Sequence, residues 1–253
     1  MPTALPVIRG TSTALYPFTQ TFICQTGVSD SQSANPTRWV KGAPLVKFEF
    51  PYNPLNKTEK DALKTAFTSA KGEFSDDLSA TLGATEYDYL TFDNDEFSAS
   101  EPHSTVYGVK WTMMQTLPQN WSPGASGGAF PTLANGLKGQ LPYTQRKRFQ
   151  TITAKVEAGP HYPYAEFGGG LTGFPSDGLM GWEFGNPVLS DADANTLIAH
   201  FLANWGNCFP FQFTDSQEDG VTYSNVYYAS PQLVVTRVNV NHTSVGVSLV
   251  QMN

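Results

Sequence analysis

A short motif occurs twice in this chain, and the repeat limits the possible folds more than any other feature. Tyr16-Pro17-Phe18-Thr19-Gln20 near the start returns as Leu141-Pro142-Tyr143-Thr144-Gln145. A strand-like segment, an Asn-Pro step and a helical segment follow each copy. Three pairs of helix residues are each separated by 134 positions, namely Leu63 and Leu197, Phe67 and Phe201, and Gly72 and Gly206. A register held over a whole helix indicates internal duplication, which sets the number of folding units.

Both helical segments carry their own start and stop signals. Asn56 with Glu59, and Ser190 with Asp193, have the spacing of an N-cap and its capping-box partner. Gly72 and Gly206 each predict a left-handed stop. Apolar residues at spacings of three and four predict one buried face per helix. These residues are Leu63, Ala66, Phe67 and Ala70 in the first helix and Leu197, Ile198, Phe201, Leu202 and Trp205 in the second.

The segments around the helices have the alternation of β-strands. Residues 45–50 alternate apolar with polar after the first two, which predicts a half-buried strand. After the helices, residues 87–93 and 209–215 are similar aromatic segments, and we align Phe92 with Phe213. This alignment predicts an exposed insertion near residues 75–86 of the first copy. Closing strands are expected at 106–115 and 244–251.

The repeat predicts a mainly β fold (α+β) with one helix per repeat. We expect a first unit at 1–118, a linker rich in Pro, Gly and Ser at 119–139, and a second unit at 140–253. One amphipathic helix per β unit predicts a small sandwich or half-open barrel, because the apolar face of a sheet must be covered. Such units leave strand edges that a ring of neighbours would occupy.

Composition argues against nucleic-acid binding through the phosphate backbone and against secretion. The net charge of -7 divides into -4 over residues 1–118 and -3 over the rest, whereas phosphate binding relies on clustered Lys and Arg. The basic cluster Arg146-Lys147-Arg148 is interpreted as a solvated strand end. Cys24 and Cys208 cannot form a disulfide framework, and we expect a reducing compartment. The first residues lack a secretory signal pattern, and no apolar run approaches the ~18 residues of a membrane span.

Motifs for catalysis or metal binding are weak, and we predict no catalytic, cofactor-binding or metal site. Gly124-Ala125-Ser126-Gly127-Gly128 matches the nucleophile-elbow spacing, but it lies in the predicted linker without the strand and helix that such an elbow needs. The four histidines, His103, His161, His200 and His242, lack metal-ligand spacing. The glycines Gly168-Gly169-Gly170 and Gly173 lack the residues of a phosphate loop and predict a turned arm.

Two acidic groups follow the aromatic strands. They are Asp93, Asp95 and Glu96 in the first copy and Asp215, Glu218 and Asp219 in the second. Oxygen ligands of this kind bind hard cations. Neither group has the spacing of a calcium loop, so we interpret both as solvated turns.

The second copy has a characteristic order of short motifs. They are Tyr143-Thr144-Gln145-Arg146, Trp182-Glu183-Phe184, the helix with Phe201-Leu202 and Gly206, Phe211-Gln212-Phe213-Thr214 and a closing Gln251. In this order the copy resembles the minor tail protein M family of lambda-like tailed phages. The similarity covers most of 141–251 and is fainter over 16–115, where Thr21 replaces the arginine. The resemblance implies a non-enzymatic protein with tail-tube-like β domains that assembles as a ring at the tail tip.

This resemblance and the duplication together predict a tail-tip or distal tail ring protein. We expect it to join the six-fold tail tube to the distal hub, to be assembled in the host cytoplasm, and to let DNA pass without sequence-specific binding or membrane insertion. Three chains would supply six similar domains, and six chains are the alternative. Another class is a carbohydrate-binding adhesin with a platform of Tyr162, Tyr164, Tyr227 and Tyr228. A third, a hydrolase, would need Ser126 or an acid pair in a pocket.

Overall fold

The fold is mainly β, with two helices in the part of the chain that the structure describes. A computed structural model describes residues 3–8, 15–29, 37–73, 78–82, 85–94, 96–117, 126–133, 143–148, 179–184, 188–215 and 220–252. Over these residues no helix is long and apolar enough to cross a membrane.

Strands precede and follow a helix in each half of the chain. The helices are α1 (Lys57–Glu73) and α2 (Asp191–Ala203). The strands of the first half are β1 (Thr3–Ala4), β2 (Phe18–Ser29), β3 (Thr37–Leu55), β4 (Leu78–Leu82), β5 (Thr85–Phe92), β6 (Ala99–His103) and β7 (Val106–Gln115). Those of the second half are β8 (Tyr143–Arg148), β9 (Leu179–Phe184), β10 (Val188–Ser190), β11 (Phe211–Asp215), β12 (Val221–Tyr228), β13 (Gln232–Asn239), β14 (His242–Val245) and β15 (Val247–Gln251).

Five strands in each half follow one order across their sheet. The first half has the order β4-β5-β7-β3-β2, and the second has β11-β12-β15-β9-β8. The pairing registers also match. Leu90 lies opposite Gln115, and Val226 lies opposite Gln251, with 136 positions between corresponding residues.

The repeated motif occupies the same place in both sheets. Gln20 of β2 lies opposite Phe48, and Gln145 of β8 lies opposite Trp182. Each motif strand therefore pairs with the equivalent strand of its own half, β2 with β3 and β8 with β9. Outer hairpins correspond as well, since Ala99 pairs with Val109 on β6 and β7, and Val235 with Val245 on β13 and β14.

The halves differ in how far their long strands continue. In the first half, β3 and β7 are each a single strand, and they pair from Lys47 opposite Met114 to Leu55 opposite Tyr107. In the second half, β3 corresponds to β9 and β10 and β7 corresponds to β15 and β14, and the two members of each pair lie in different sheets. The strands β10, β14 and β13 of the second half belong to the first sheet, where β13 pairs with β2. A ten-stranded sheet in the described residues thus contains strands from both sides of the predicted linker.

The helix starts are confirmed by their hydrogen bonds. The Glu59 backbone N–H donates to Asn56 Oδ1 at 2.9 Å, and the Asn56 N–H donates to the Glu59 carboxylate at 2.9 Å. The Asp193 N–H donates to Ser190 Oγ at 3.2 Å. The predicted apolar faces are also confirmed, with Leu63, Phe67, Leu197, Ile198 and Phe201 buried.

Only one of the two predicted glycine stops is correct. After α2 the backbone is left-handed at Trp205, with φ +51°, and at Gly206, with φ +61°. The Gly206 N–H donates to the Phe201 carbonyl at 2.9 Å, which completes the helix stop. The prediction for Gly72 was wrong, because α1 continues through it to Glu73. The two helices therefore begin alike and end differently.

The predicted insertion is mostly strand. Within 75–86, β4 pairs with β5 and buries Leu78, Ser79 and Ala80, so this part of the chain belongs to the sheet and not to an exposed loop. In the strand order of the first half, β4 has the position that β11 has in the second half. The alignment of Phe92 with Phe213 was therefore wrong, since Phe92 has the register position of Tyr228, each opposite a residue of the closing strand.

Residues inside the predicted linker 119–139 contribute to the core. Phe130 and Leu133 are buried, and Ala129 forms a parallel bridge with Gln212 of β11. In the first half, Ala4 pairs in parallel with Ser79 of β4. The Phe130 N–H donates to the Gln212 carbonyl, just as the Leu5 N–H donates to the Ser79 carbonyl. Residues 128–133 therefore form an arm equivalent to residues 3–8.

Candidate functional site at the junction of the two halves

The two halves meet edge to edge along β2 and β13. Six residues of β13 pair with β2, from Gln232 opposite Ile23 to Arg237 opposite Phe18. Leu233 and Val235 of β13 are buried at this contact. Unpaired strand edges attract other strands, and a second strand satisfies their backbone groups. The junction is thus strand addition within one chain, a contact mode that also joins separate proteins.

Arg237 fastens the junction to α2. Its Nε donates to Gln20 Oε1 at 2.9 Å, and its Nη1 donates to Asp191 Oδ1 at 3.2 Å and to Thr243 Oγ1 at 3.0 Å. Its Nη2 donates to Asn195 Oδ1 at 3.0 Å. A guanidinium group presents its donors in a fixed plane, which suits several acceptors at once. One side chain therefore connects β2, β13, β14 and α2.

Arg38 connects the distal part of the β2–β3 hairpin to the second half. Its Nη1 donates to the Asn207 carbonyl at 2.6 Å, and its Nη2 lies 3.4 Å from Met252 Sδ. Its guanidinium carbon lies 5.0 Å from the centroid of the Tyr227 ring, a cation–π distance. The Thr26 hydroxyl donates to Asn207 Oδ1 at 2.9 Å. The two halves are therefore held together by side chains as well as by strand pairing.

The two cysteines lie in the same region. Both are buried free thiols, and a Cβ added at Gly206 would lie 3.0 Å from the Cβ of Cys24. Burial, with a contribution from nearby Cys208, raises the pKa of Cys24 to about 12. Burial also raises the pKa of Cys208, against the opposing effect of Arg38. Since the thiolate is the reactive form, burial makes both thiols less reactive.

His200 belongs to a buried hydrogen-bond network. Its Nδ1 lies 2.7 Å from the Tyr228 hydroxyl, and its Nε2 lies 3.2 Å from Asn204 Nδ2. The amide nitrogen can only donate, so Nε2 accepts and Nδ1 donates to the Tyr228 oxygen. Burial lowers the pKa of His200 to about 4. The ring is therefore neutral near pH 7, with both nitrogens engaged.

Ser126 does not lie on a nucleophile elbow. It is exposed, and the adjoining Gly127 N–H donates to Asn204 Oδ1 at 2.9 Å. Gly127 and Gly128 have φ values of +84° and +86°, and the chain then pairs with β11. The described part of the motif thus begins an arm, without the strand-to-helix turn that exposes a nucleophilic serine.

Asp93 and Asp215, the first residues of the two acidic groups, have different surroundings. Asp93 forms an ion pair with Lys47 at 2.9 Å. Asp215 was predicted to be solvated, but it is fully buried and accepts a hydrogen bond from Trp182 Nε1 at 3.0 Å. Across the described residues, no group of three or more His, Cys, Asp or Glu side chains is arranged to hold a metal ion. His103 and His242 are exposed at the hairpin ends.

The proposed tyrosine platform does not form at the two residues that can be assessed. Tyr228 is buried, and Tyr227 lies half-buried beneath Arg38. Consecutive strand residues also face opposite sides of a sheet, so they cannot share one flat surface. Several other predicted features lie outside the described residues, namely Asp95, His161, Tyr162, Tyr164, Gly168–Gly170, Gly173, Asn186-Pro187, Glu218 and Asp219.

A signal for the arms was present in the sequence. Ala4-Leu5-Pro6-Val7-Ile8 is matched by Ala129-Phe130-Pro131-Thr132-Leu133 after 125 positions, the offset that also separates the two Thr-Gln motifs. The alanines occupy the bridging positions, and Leu5 and Ile8 are buried like their equivalents Phe130 and Leu133. The junction itself has no comparable local signal.

Comparison with known proteins leaves the family open. No family model matches the chain, and no significant match occurs among curated proteins.

Proposed function

We propose that this chain is a structural component of a tailed-phage virion, a tail-tip or distal tail protein. In this proposal it consists of two tandem tail-tube-like domains and assembles as a ring between the six-fold tail tube and the distal hub. The ring surrounds the passage through which DNA moves.

The junction of β2 with β13 is the observation that carries the proposal. It joins two units of equal strand order and register, with the outer hairpin of one unit covering the edge strand of the other. Units that contact each other in this head-to-tail manner form rings when the rotation between them closes. A chain with two such units would supply two neighbouring units of a pseudo-symmetric ring.

The resemblance of residues 141–251 to minor tail protein M supplies the place in the virion. Charge supports the passage, since an overall negative protein does not retain DNA through its phosphates. The network around Arg237 and Arg38 would keep the two units of each chain in a constant orientation, as a ring requires.

Native mass spectrometry of the purified chain, combined with electron microscopy, tests this function. The expected result is a ring with a central opening, built from three chains with six units or from six chains. A particle that remains monomeric under assembly conditions, or forms a compact dimer without an opening, would contradict the proposal.

A further inference from the structure

The two edge strands that carry the repeated motif have different surroundings. β2 is covered by β13, whereas in the described residues β8 pairs with β9 alone and ends its sheet. The positions correspond, since Thr19 and Gln20 match Thr144 and Gln145 in their registers with the next strand. β8 therefore presents the kind of edge that β2 has filled.

The two outer hairpins show the complementary difference. β13 is the strand that fills the edge of β2, and its counterpart β6 pairs with β7 alone in the described residues. Every residue of β6 is exposed. Ala99 is exposed where its equivalent Val235 is fully buried. Among the described residues, β8 is thus an edge without a second partner strand, and β6 is a strand of the kind that fills such an edge.

We infer that β8 of one chain binds β6 of a second copy of this chain, in the geometry of the internal junction. The contact repeats the β2–β13 register, with β13 replaced by β6 and β2 by β8. This register places Glu101 opposite Tyr143, Ser100 opposite Thr144, Ala99 opposite Gln145, Ser98 opposite Arg146, Phe97 opposite Lys147 and Glu96 opposite Arg148.

One pair of opposite charges falls within this register. Arg148, the last residue of the basic cluster of β8, lies opposite Glu96, in the segment that enters β6. Opposite charges on paired strands stabilise the pair, and like charges weaken it. The basic cluster, first interpreted as a solvated strand end, gains a partner in this way.

Two further residues fit the same arrangement. Glu101 has the register position of Arg237, and Gln145 has that of Gln20, which accepts a hydrogen bond from Arg237. A glutamine amide can also donate, so it suits a carboxylate as well as a guanidinium. Pro102 has no N–H for a ladder, but it matches Val238, which lies beyond the last pair of the β2–β13 ladder.

This contact is heterologous, because the two chains use different surfaces. It adds the first unit of a second chain to the second unit of the first chain, just as the internal junction joins the two units of one chain. The inference deepens the proposed ring and rests on it only for closure, since the strand contact itself follows from the internal junction.

Disulfide cross-linking tests the register directly. The pair Ser100→Cys and Thr144→Cys should give covalent oligomers under mild oxidation, because the two positions lie opposite each other. Thr19→Cys with Thr236→Cys is the matched control at the internal junction, and it should cross-link within one chain. Ser100→Cys with Gln145→Cys is the out-of-register control and should react far less, since adjacent strand residues face opposite sides.

The outcomes separate the contact from the ring. Rings that form without preferential cross-linking of the Ser100/Thr144 pair overturn the inference and leave the ring proposal standing. Covalent open chains without rings support the contact and count against the ring. A chain that stays monomeric and uncross-linked at its highest soluble concentration overturns both, and failure of the internal control removes the template for the contact.

Charge exchange provides a second measurement without cysteines. Arg148→Glu should weaken self-association up to about fivefold at low salt, the effect of losing one exposed ion pair. Glu96→Arg combined with Arg148→Glu should restore it. Lys64→Glu on the exposed face of α1 is the control and should leave self-association unchanged. Equal weakening by Lys64→Glu, or no recovery in the double variant, would contradict the proposed register.

Discussion

The strands β6 and β13 occupy equivalent positions in hairpins of equal register, yet one is exposed and the other is buried. Both are followed by a two-residue turn and by a strand that continues towards the sheet of its own half. β13 lies against β2 and buries Leu233 and Val235, whereas Ala99 of β6 is exposed. Burial at these positions is therefore decided by what lies along the outer edge and not by the hairpin itself.

The comparison extends to the side chains that anchor each hairpin. Arg237 reaches four partners on three elements, and Glu101 at the same register position is exposed. The hairpin of β13 is thus anchored to a neighbouring edge strand, whereas the equivalent hairpin of β6 has no such anchor among the described residues. Substitutions at paired positions can therefore distinguish a role in the fold from a role in assembly.

The largest expected difference is between Arg237→Ala and Glu101→Ala. Arg237→Ala removes charge-assisted hydrogen bonds and leaves the buried Gln20 without that donor, so it should lower the free energy of unfolding by about 3 kcal/mol. Glu101→Ala should change it by less than about 0.5 kcal/mol, because the side chain is exposed. Urea denaturation of the dilute proteins measures both values, and equal losses would show that the junction lacks this anchoring role.

A second difference lies in the two cores. In the second half, Trp182 and Asp215 form a fully buried hydrogen-bonded pair. The equivalent positions in the first half are Phe48 and Leu82, as the strand registers show. Asp215→Leu leaves the indole N–H without this acceptor, so we expect a loss of about 2 kcal/mol in unfolding free energy.

Trp182→Phe combined with Asp215→Leu gives the second core the residue types of the first. The double variant should recover at least half of the loss caused by Asp215→Leu alone, because no indole N–H then needs a partner. Denaturant unfolding of the two single variants and the double variant completes a thermodynamic cycle. Additive losses would show that the pair is not coupled.

The third difference is one of pH. His200 of α2 has a pKa of about 4, against an ordinary value near 6.5, whereas α1 has Ala66 at this helix position. The unfolded chain binds the proton more readily, so stability is present above pH 6.5 and is lost as the pH falls towards 4. We expect a loss of about 2 kcal/mol between pH 8 and pH 5 from this residue.

The pH dependence of unfolding measures this contribution. His200→Ala lowers stability at every pH, but it should remove this part of the slope between pH 8 and pH 5. His103→Ala is the control, because His103 is exposed, and it should leave the slope unchanged. A His200→Ala protein that retains the full slope would show that another group is responsible.

Local patterns in the sequence were sufficient for the parts of the fold that depend on local physics. Alternation in residues 45–50 was correct, with Val46, Phe48 and Phe50 buried, and so were both N-caps, Asn56 and Ser190. These features depend on side chains a few residues apart, which are visible in the sequence.

The errors concern features that depend on distant parts of the chain. Phe92 and Phe213 were aligned because aromatic strands look alike, and only their partner strands show that they differ. Asp215 follows an aromatic strand, as many solvated turn residues do, but Trp182 from another strand makes it part of the core. The junction joins Gln20 to Arg237, 217 residues apart, and no local pattern indicates such a pair.

The smallest expected effect has opposite signs at the two equivalent helix ends. Gly206 has φ +61°, and an added Cβ would lie 3.0 Å from Cys24 Cβ and 3.1 Å from Phe201 Cζ. Gly206→Ala should therefore lower the free energy of unfolding by about 1 to 2 kcal/mol, because of backbone strain and displaced neighbours.

Gly72 lies within α1, where alanine is the better helix former. Gly72→Ala should raise stability by up to about 0.5 kcal/mol, less than in the middle of a helix, because the position is next to the last residue. Thermal unfolding of the two variants should thus move the melting temperature in opposite directions. A fall in both would mean that Gly72 ends its helix as Gly206 does, and the two halves would then share this feature after all.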